Sequence, residues 1–244
     1  MRLEWLTARP IAHRGLHGGA IVENTLEAAD AAAAANYAIE CDIQLTADGE
    51  LVVFHDDALE RLTLAAGPLR ARTLADLKTI AYRDTAGRIP TLGEFLARVA
   101  SRTPLLIELK SNWDGDSLIA ERAAAILAGY SGPFALMSFD PWLVRAVRLA
   151  APALPRGIVA ERRYDDPDWR LSAAQKFALG SFTHIGQTRP HFIAYRVRDL
   201  PALVPLFAHN VLGMPLLTWT VRTEAERARA ARWADQMIFE GFLP

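Results

Sequence analysis

The chain has 244 residues, 51% of them apolar, with 27 Lys and Arg against 28 Asp and Glu and a formal net charge of −1. That balance describes a globular protein with ample material for a core, and it disfavours a non-specific nucleic-acid binder or a supercharged tail, either of which needs a like-charged field. The single cysteine, Cys41, excludes an intramolecular disulfide framework and any multi-cysteine zinc or iron–sulfur site, and it fits a reducing compartment.

The first residues carry charges at Arg2, Glu4 and Arg9 and lack the apolar run of a signal peptide. The Ala-rich stretch from Ala28 to Ala35 is interrupted by Asp30, and no segment reaches the roughly 20 apolar residues of a membrane span. A cytoplasmic protein without stable membrane insertion or a nucleic-acid partner is expected. Nothing in the sequence specifies an oligomeric state.

Short β-rich apolar runs alternate with helical stretches, an order that favours parallel strands joined by helices. In chain order the candidate strands are 10–13, 37–43, 51–54, 104–110, 134–138, 157–160, 192–194, 216–221 and 237–239. Helix starts are marked by Asn24 with Glu27, Thr91 with Glu94 and Thr223 with Glu226, the spacing of a cap and its reciprocal acid. Asp140-Pro141 marks another, since a proline at the first helical position sacrifices no hydrogen bond. A turn-rich excursion covers about 56–90, with one short amphipathic stretch around Leu74 to Ile80, and is too small for a comfortable core of its own. Periodicity is weak from Arg162 to Gln187. With no linker, repeat or low-complexity tract, residues 1–244 are read as a single domain.

Charged residues sit at the ends of several apolar runs, where desolvation normally excludes them, and function is one explanation for that cost. Glu40 and Asp42 are two apart, so in a strand they share a face while Cys41 points the other way. Two such carboxylates repel unless one is protonated, a cationic side chain intervenes, or a divalent cation bridges them. Glu108 and Lys110 repeat the spacing. Glu40, Asp42 and Glu108 would make an all-oxygen site for a hard cation such as Mg²⁺ or Ca²⁺, with Lys110 beside it for an anionic substrate. A structural salt bridge from Lys110 to an acid accounts for either pair about equally well. His13-Arg14-Gly15 and His55-Asp56 follow two further runs, combining imidazoles for proton transfer with a guanidinium suited to phosphate. His17, His184, His191 and His209 lack such company and read as ordinary packed or surface residues.

The ordered series His13-Arg14-Gly15, Glu23-Asn24-Thr25, Glu40-Cys41-Asp42, His55-Asp56 and Glu108-Leu109-Lys110 resembles that of the glycerophosphodiester phosphodiesterases. The resemblance continues through Thr73-Leu-Ala-Asp-Leu77, Ile89-Pro-Thr-Leu92, Ser138-Phe139 and Trp219-Thr-Val221, and so covers nearly the whole chain. It implies an α/β fold, a TIM (β/α)8 barrel with a short insertion after the second barrel strand and its site at the C-terminal strand ends. It further implies metal ligands Glu40, Asp42 and Glu108, an acid–base pair His13 and His55, and phosphate-binding Arg14 and Lys110. Mg²⁺ or Ca²⁺ is the expected cofactor, with Mn²⁺ as a substitute. Glu23 is read as an orienting residue behind the site and Asn24 chiefly as a helix cap. Trp219 presents an apolar wall to glycerol or is a packed barrel tryptophan, the two readings standing level.

Two departures from the family pattern stand out. Arg222 occupies the place after Trp-Thr-Val where many relatives have Asn, and Phe239-Glu240-Gly241 replaces a common Thr-Asp. Arg222 is read as a solvent-facing residue before the Thr223 cap, in preference to a contact for an additional anion. The segment after His55 is short for the family, and a small cap leaves room for larger headgroups. The implied reaction is hydrolysis of a small-molecule glycerophosphodiester to glycerol 3-phosphate and an alcohol. A lysophospholipase D-type phosphodiesterase and a non-catalytic phosphoester-binding protein are the alternatives. The histidine pair disfavours the latter, since binding alone needs no proton-transfer groups.

Overall fold

The computed structural model describes residues 3–83, 85–166, 169 and 171–244. Arg2 of the N-terminal charge pattern, Asp84 of the excursion, and Pro167, Asp168 and Arg170 of the weakly periodic stretch lie outside the described residues. Each expected apolar run forms a strand: β1 (Ile11–Ala12), β2 (Ala38–Leu45), β3 (Leu51–Val53), β4 (Leu105–Leu109), β5 (Phe134–Ser138), β6 (Arg156–Ala160), β7 (Phe192–Arg196), β8 (Leu216–Val221) and β9 (Gln236–Phe239). Eight of them are parallel in the order β1-β9-β8-β7-β6-β5-β4-β2, and pairing of β1 with β2 closes the barrel.

The exception is β3, which runs antiparallel to β2 with Ile43 opposite Val53. Only residues 46–50 separate the two strands. That is too short for the crossover a parallel neighbour needs, so the chain turns back as a hairpin outside the barrel. The excursion follows. Its Leu59, Leu69, Leu77, Tyr82 and Ile89 pack on Val52 and Phe54, so it borrows the hairpin for its small core.

The helices are α1 (Glu4–Thr7), α2 (Leu26–Ala34), α3 (Leu74–Thr79), α4 (Leu92–Val99), α5 (Leu118–Leu127), α6 (Pro141–Ala150), α7 (Ala173–Gly180), α8 (Ile185–Thr188), α9 (Leu203–Asn210) and α10 (Glu224–Trp233). Thr91 and Glu94 form a reciprocal box at the start of α4, and Asp140 accepts from the Trp142 N–H in front of Pro141. Thr223 accepts from the Glu226 N–H, but the Glu226 carboxylate turns to the Arg222 N–H and to Arg198. The cap of α2 differs from expectation: Thr25 accepts from the Ala28 N–H, and Asn24, one residue earlier, is committed elsewhere.

Period-two alternation divides the strands into an outer and an inner row. Ile39, Cys41, Ile43, Ile107 and Leu109 face the helices, whereas Ile11, Ala38, Leu106, Ala135, Met137, Val159, Phe192, Ala194, Leu217 and Ile238 fill the barrel. Small and large residues alternate there. A Cβ on Gly157 would lie 2.3 Å from the Phe192 ring, so that layer fits only with glycine opposite phenylalanine. Two residues beyond the apolar layers, the inner rows change character to His13, Glu40 and Asp42, Glu108 and Lys110, Phe139, Glu161, Arg196, Trp219 and Glu240. The C-terminal mouth is therefore lined by whatever continues each inner row.

Candidate active site

Asp42 and Glu108 are register partners on β2 and β4, and Glu40 lies one step down the same inner row. One carboxylate oxygen from each of the three falls within 4.8 Å of the others, all in buried residues. Crowding three carboxylates at this depth has a visible electrostatic cost. Burial, together with the charges of Asp42 and Glu108, raises the Glu40 pKa well above its ordinary value, and burial raises Glu108 as well. Burial would push Asp42 up too, but His55, Lys110, Arg14 and His13 outweigh it and hold that carboxyl far below the usual range. The cluster carries more negative charge than its neighbours neutralise.

Lys110 places Nζ 3.4 Å from Glu108 and 3.8 Å from Asp42, with 22% of its side chain still exposed. Arg14 enters from the loop after β1, in a left-handed conformation at φ 56°. Its backbone N–H donates to Glu40 Oε2 at 2.9 Å, Nη1 donates to Glu23 at 2.7 Å, and Nε lies 3.5 Å from Asp42. The turn is held by close packing: a Cβ on Gly15 would meet the Ala28 backbone at 2.8 Å, and Gly15 itself has φ 78°.

Asn24 secures Asp42 from below. Its amide donates to Asp42 Oδ2 at 2.9 Å and its carbonyl accepts from the Asp42 N–H at 3.2 Å, while its own N–H donates to the Arg14 carbonyl. These bonds require φ 57°, a region that Asn tolerates better than most residues. The capping role expected for Asn24 is thus corrected, because a side chain bonded to a strand 18 residues away cannot also cap α2.

Both imidazoles are held through Nδ1 by carboxylates. His13 donates to Glu240 Oε2 at 2.7 Å, and His55 donates to Asp56 Oδ1 at 2.8 Å. A carboxylate there selects the tautomer with the proton on Nδ1 and leaves Nε2 as the basic nitrogen. His13 Nε2 lies 4.0 Å from Glu40. Burial pushes the His13 pKa down to about 4 despite its bond to Glu240, so the imidazole is neutral near pH 7. Behind His55, Arg61 bridges Asp56 to Glu23, forking on the latter at 2.9 and 2.7 Å. Glu23 in turn holds Arg14, so one ionic chain fixes the excursion, His55 and the β1 loop together.

Three of these residues escaped the sequence reading. Glu240 continues the inner row two residues after Ile238, so the rule that linked Glu40 to Asp42 identifies it as well. Arg222 is no free surface residue: its Nη2 donates to Glu240 Oε2 at 2.9 Å, the same oxygen that receives His13. The two departures from the family pattern are therefore bonded to each other. Arg61 had no local signal, lying in an irregular loop. The Trp219 indole N–H donates to the Ala194 carbonyl at 3.0 Å, as in a packed barrel tryptophan, and its ring, edge-on to Phe139, stays partly exposed.

A parallel barrel with carboxylates, imidazoles and two cations converging at its C-terminal mouth has the architecture of a barrel enzyme, and the charges suit a phosphoester. Residues 13–243 match the Glycerophosphoryl diester phosphodiesterase family, and the chain belongs to that family. A glycerophosphodiester phosphodiesterase of Caldanaerobacter subterraneus subsp. tengcongensis is 31% identical over 230 residues, covering 90% of this chain and 88% of that protein. One from Bacillus subtilis is 28% identical over 257 residues, covering 95% and 83%. The fold is that of an Oleispira antarctica phosphodiesterase solved with sn-glycerol-3-phosphate as product, at TM-score 0.79, 22% identity, and 95% and 92% coverage. Among the described residues no helix is long and apolar enough to cross a membrane.

Proposed function

We propose that the chain hydrolyses glycerophosphodiesters to glycerol 3-phosphate and an alcohol, with a divalent cation held by Glu40, Asp42 and Glu108 and with His13 and His55 as the acid–base pair. One observation carries this reading: the three carboxylates converge within 4.8 Å, and two imidazoles, each fixed by a carboxylate, flank them. The donor set fits a hard cation: it is all oxygen, and burial together with the charges of Asp42 and Glu108 raises the Glu40 pKa well above its ordinary value, a cost that a bound cation would offset. When bound, such an ion supplies positive charge to the phosphoryl oxygens.

The remaining steps fall to the chain's own groups. Arg14 and Lys110 draw the anionic diester to the mouth and offset its charge as the phosphoryl group is attacked. His13, kept neutral by burial, accepts the proton of the attacking hydroxyl at Nε2, whether from water or from the glycerol 2-hydroxyl. His55, when it carries a second proton on Nε2, gives that proton to the departing alkoxide, and the proton taken by His13 returns to His55 through solvent, with Asp56 and Arg61 keeping the His55 ring in place. The buried, unpaired Cys41 is in keeping with a cytoplasmic setting. The test is to strip the protein of metal, restore Mg²⁺, Ca²⁺ or Mn²⁺ singly, and assay glycerol 3-phosphate release from a panel of glycerophosphodiesters. Release that returns with a divalent ion and falls by a hundredfold or more in both His13→Gln and His55→Gln is expected. Metal-independent release, or tight binding without product, contradicts the reading.

A further inference from the structure

Two pairs of arginines in this chain each share an acid: Arg98 and Arg102 both pair with Asp30, and Arg14 and Arg61 both pair with Glu23. A third group of arginines, at the opposite end of the barrel from the carboxylates, has no acid among the described residues. Arg156 is the first residue of β6, Arg148 lies in the last turn of α6, and Arg189 directly follows α8. Val159 of β6 belongs to the inner row, so Arg156, an odd number of residues earlier, points outward to the helices.

Arg156 is 6% exposed, a depth at which an arginine is normally paired with a carboxylate. Its Nε donates instead to the Thr188 carbonyl at 3.1 Å, and its Nη1 to the Pro152 and Leu154 carbonyls at 3.2 and 3.4 Å. Those carbonyls close the ends of α8 and α6 and offer partial charges only. Arg148 Nε is buried with no hydrogen-bond partner, and the exposed Arg189 has no carboxylate partner among the described residues. Burial first, then the charges of Arg148 and Arg189, lower the Arg156 pKa below its ordinary value. Guanidiniums gathered in this way are costly until an anion joins them.

We propose that Arg148, Arg156 and Arg189 bind a soluble phosphate group, as inorganic phosphate or a small phosphate monoester, at a site separate from the mouth. The chemistry selects that class. A carboxylate brings one charge and two oxygens in a plane, whereas a phosphate brings up to two charges and a tetrahedron of oxygens that guanidinium forks can meet from several sides. Arg156 is recessed between helix ends, which a free ion reaches and a flat bilayer does not. The inference concerns the far end of the barrel and stands whether or not the hydrolysis reading holds.

The experiment follows the Tm of the metal-stripped protein as inorganic phosphate replaces chloride at constant ionic strength. At about twenty times its dissociation constant the ion should raise Tm by about 4 °C. Lys110→Met, which weakens anion binding at the mouth, should keep that rise, and Arg148→Gln combined with Arg189→Gln should lose more than half of it. If the arginines only hold carbonyls, the double variant melts lower by the same amount with and without phosphate, and that result overturns the inference, as does a rise abolished by Lys110→Met. Phosphatidylglycerol vesicles that sediment the unaltered protein but not the double variant, with no response to free phosphate, overturn it in favour of a lipid surface. Should the double variant fail to fold, Arg189→Gln alone, an exposed change, decides: it should weaken phosphate binding by about threefold or more, and an unmoved midpoint overturns the inference.

Discussion

Replacing Glu240 separates the charge behind His13 from the hydrogen bond that aims it. Both bonds to Glu240, from His13 Nδ1 at 2.7 Å and from Arg222 Nη2 at 2.9 Å, end on the same oxygen, Oε2. Glu240→Gln offers a carbonyl oxygen at that place, so both donors keep an acceptor and only the ionic part is lost. A charge-assisted hydrogen bond exceeds a neutral one by roughly 1 to 1.5 kcal/mol, which predicts about a tenfold fall in kcat/KM. Glu240→Ala removes the acceptor, frees the ring to rotate and takes away the tautomer preference, so most of the roughly 10²- to 10⁴-fold contribution of one acid–base group is at risk. The assay is continuous glycerol 3-phosphate release from one ester, with circular dichroism to verify the fold. A Gln variant as impaired as the Ala variant would show that the carboxylate does more than orient, and two variants near the unaltered rate would remove Glu240 from the account.

Glu40→Gln should raise the Tm of the metal-free protein by relieving repulsion in the trio, yet abolish both activity and the metal-induced Tm gain. For comparison, an ion at 100 times its Kd adds about 2.7 kcal/mol of stability to the unaltered protein. Asn24→Ala removes two bonds to Asp42 and places alanine at φ 57°, for a combined loss of roughly 3 kcal/mol in denaturant unfolding, while Asn24→Gly, which tolerates that backbone, isolates the bonding part. The folded-state pKa of His13 is depressed from 6.5 to about 4, so the unfolded chain binds the extra proton first as pH falls. Stability is then present above pH 6.5 and drains away down to about pH 4, by at most about 3 kcal/mol. His13→Asn should flatten that limb, and an unchanged pH–stability curve would contradict the burial of a neutral imidazole. Arg222→Ala leaves Glu240 on His13 and, with Arg222 nearly half exposed, should change kcat/KM less than about threefold.

The residues that the sequence made legible are those governed by strand alternation. Glu40 with Asp42, and Glu108 with Lys110, needed no knowledge of the fold to be placed on common faces, and register across β2 and β4 brought them together. Glu240 obeys the same rule two residues after Ile238, but as part of the Phe239-Glu240-Gly241 departure it matches no role in the family pattern. Asn24 misled for a local reason: its spacing to Glu27 imitates a cap, while Thr25 supplies an equally good cap one residue later and frees Asn24 for Asp42. The antiparallel β3 departs from the parallel order that the alternation favours, because its short connection forbids a crossover, and Arg61 depends on how an irregular excursion folds over the site, for which periodicity offers no guide.

The most direct measurement is a titration of the metal-stripped protein with Mn²⁺, following bound ion by its relaxation signal and glycerol 3-phosphate release in the same samples. The account predicts that occupancy and turnover rise together to one ion per chain, and that Glu40→Gln and Asp42→Asn lose both. Turnover that is complete before any ion binds, or binding that survives loss of these carboxylates, would contradict it.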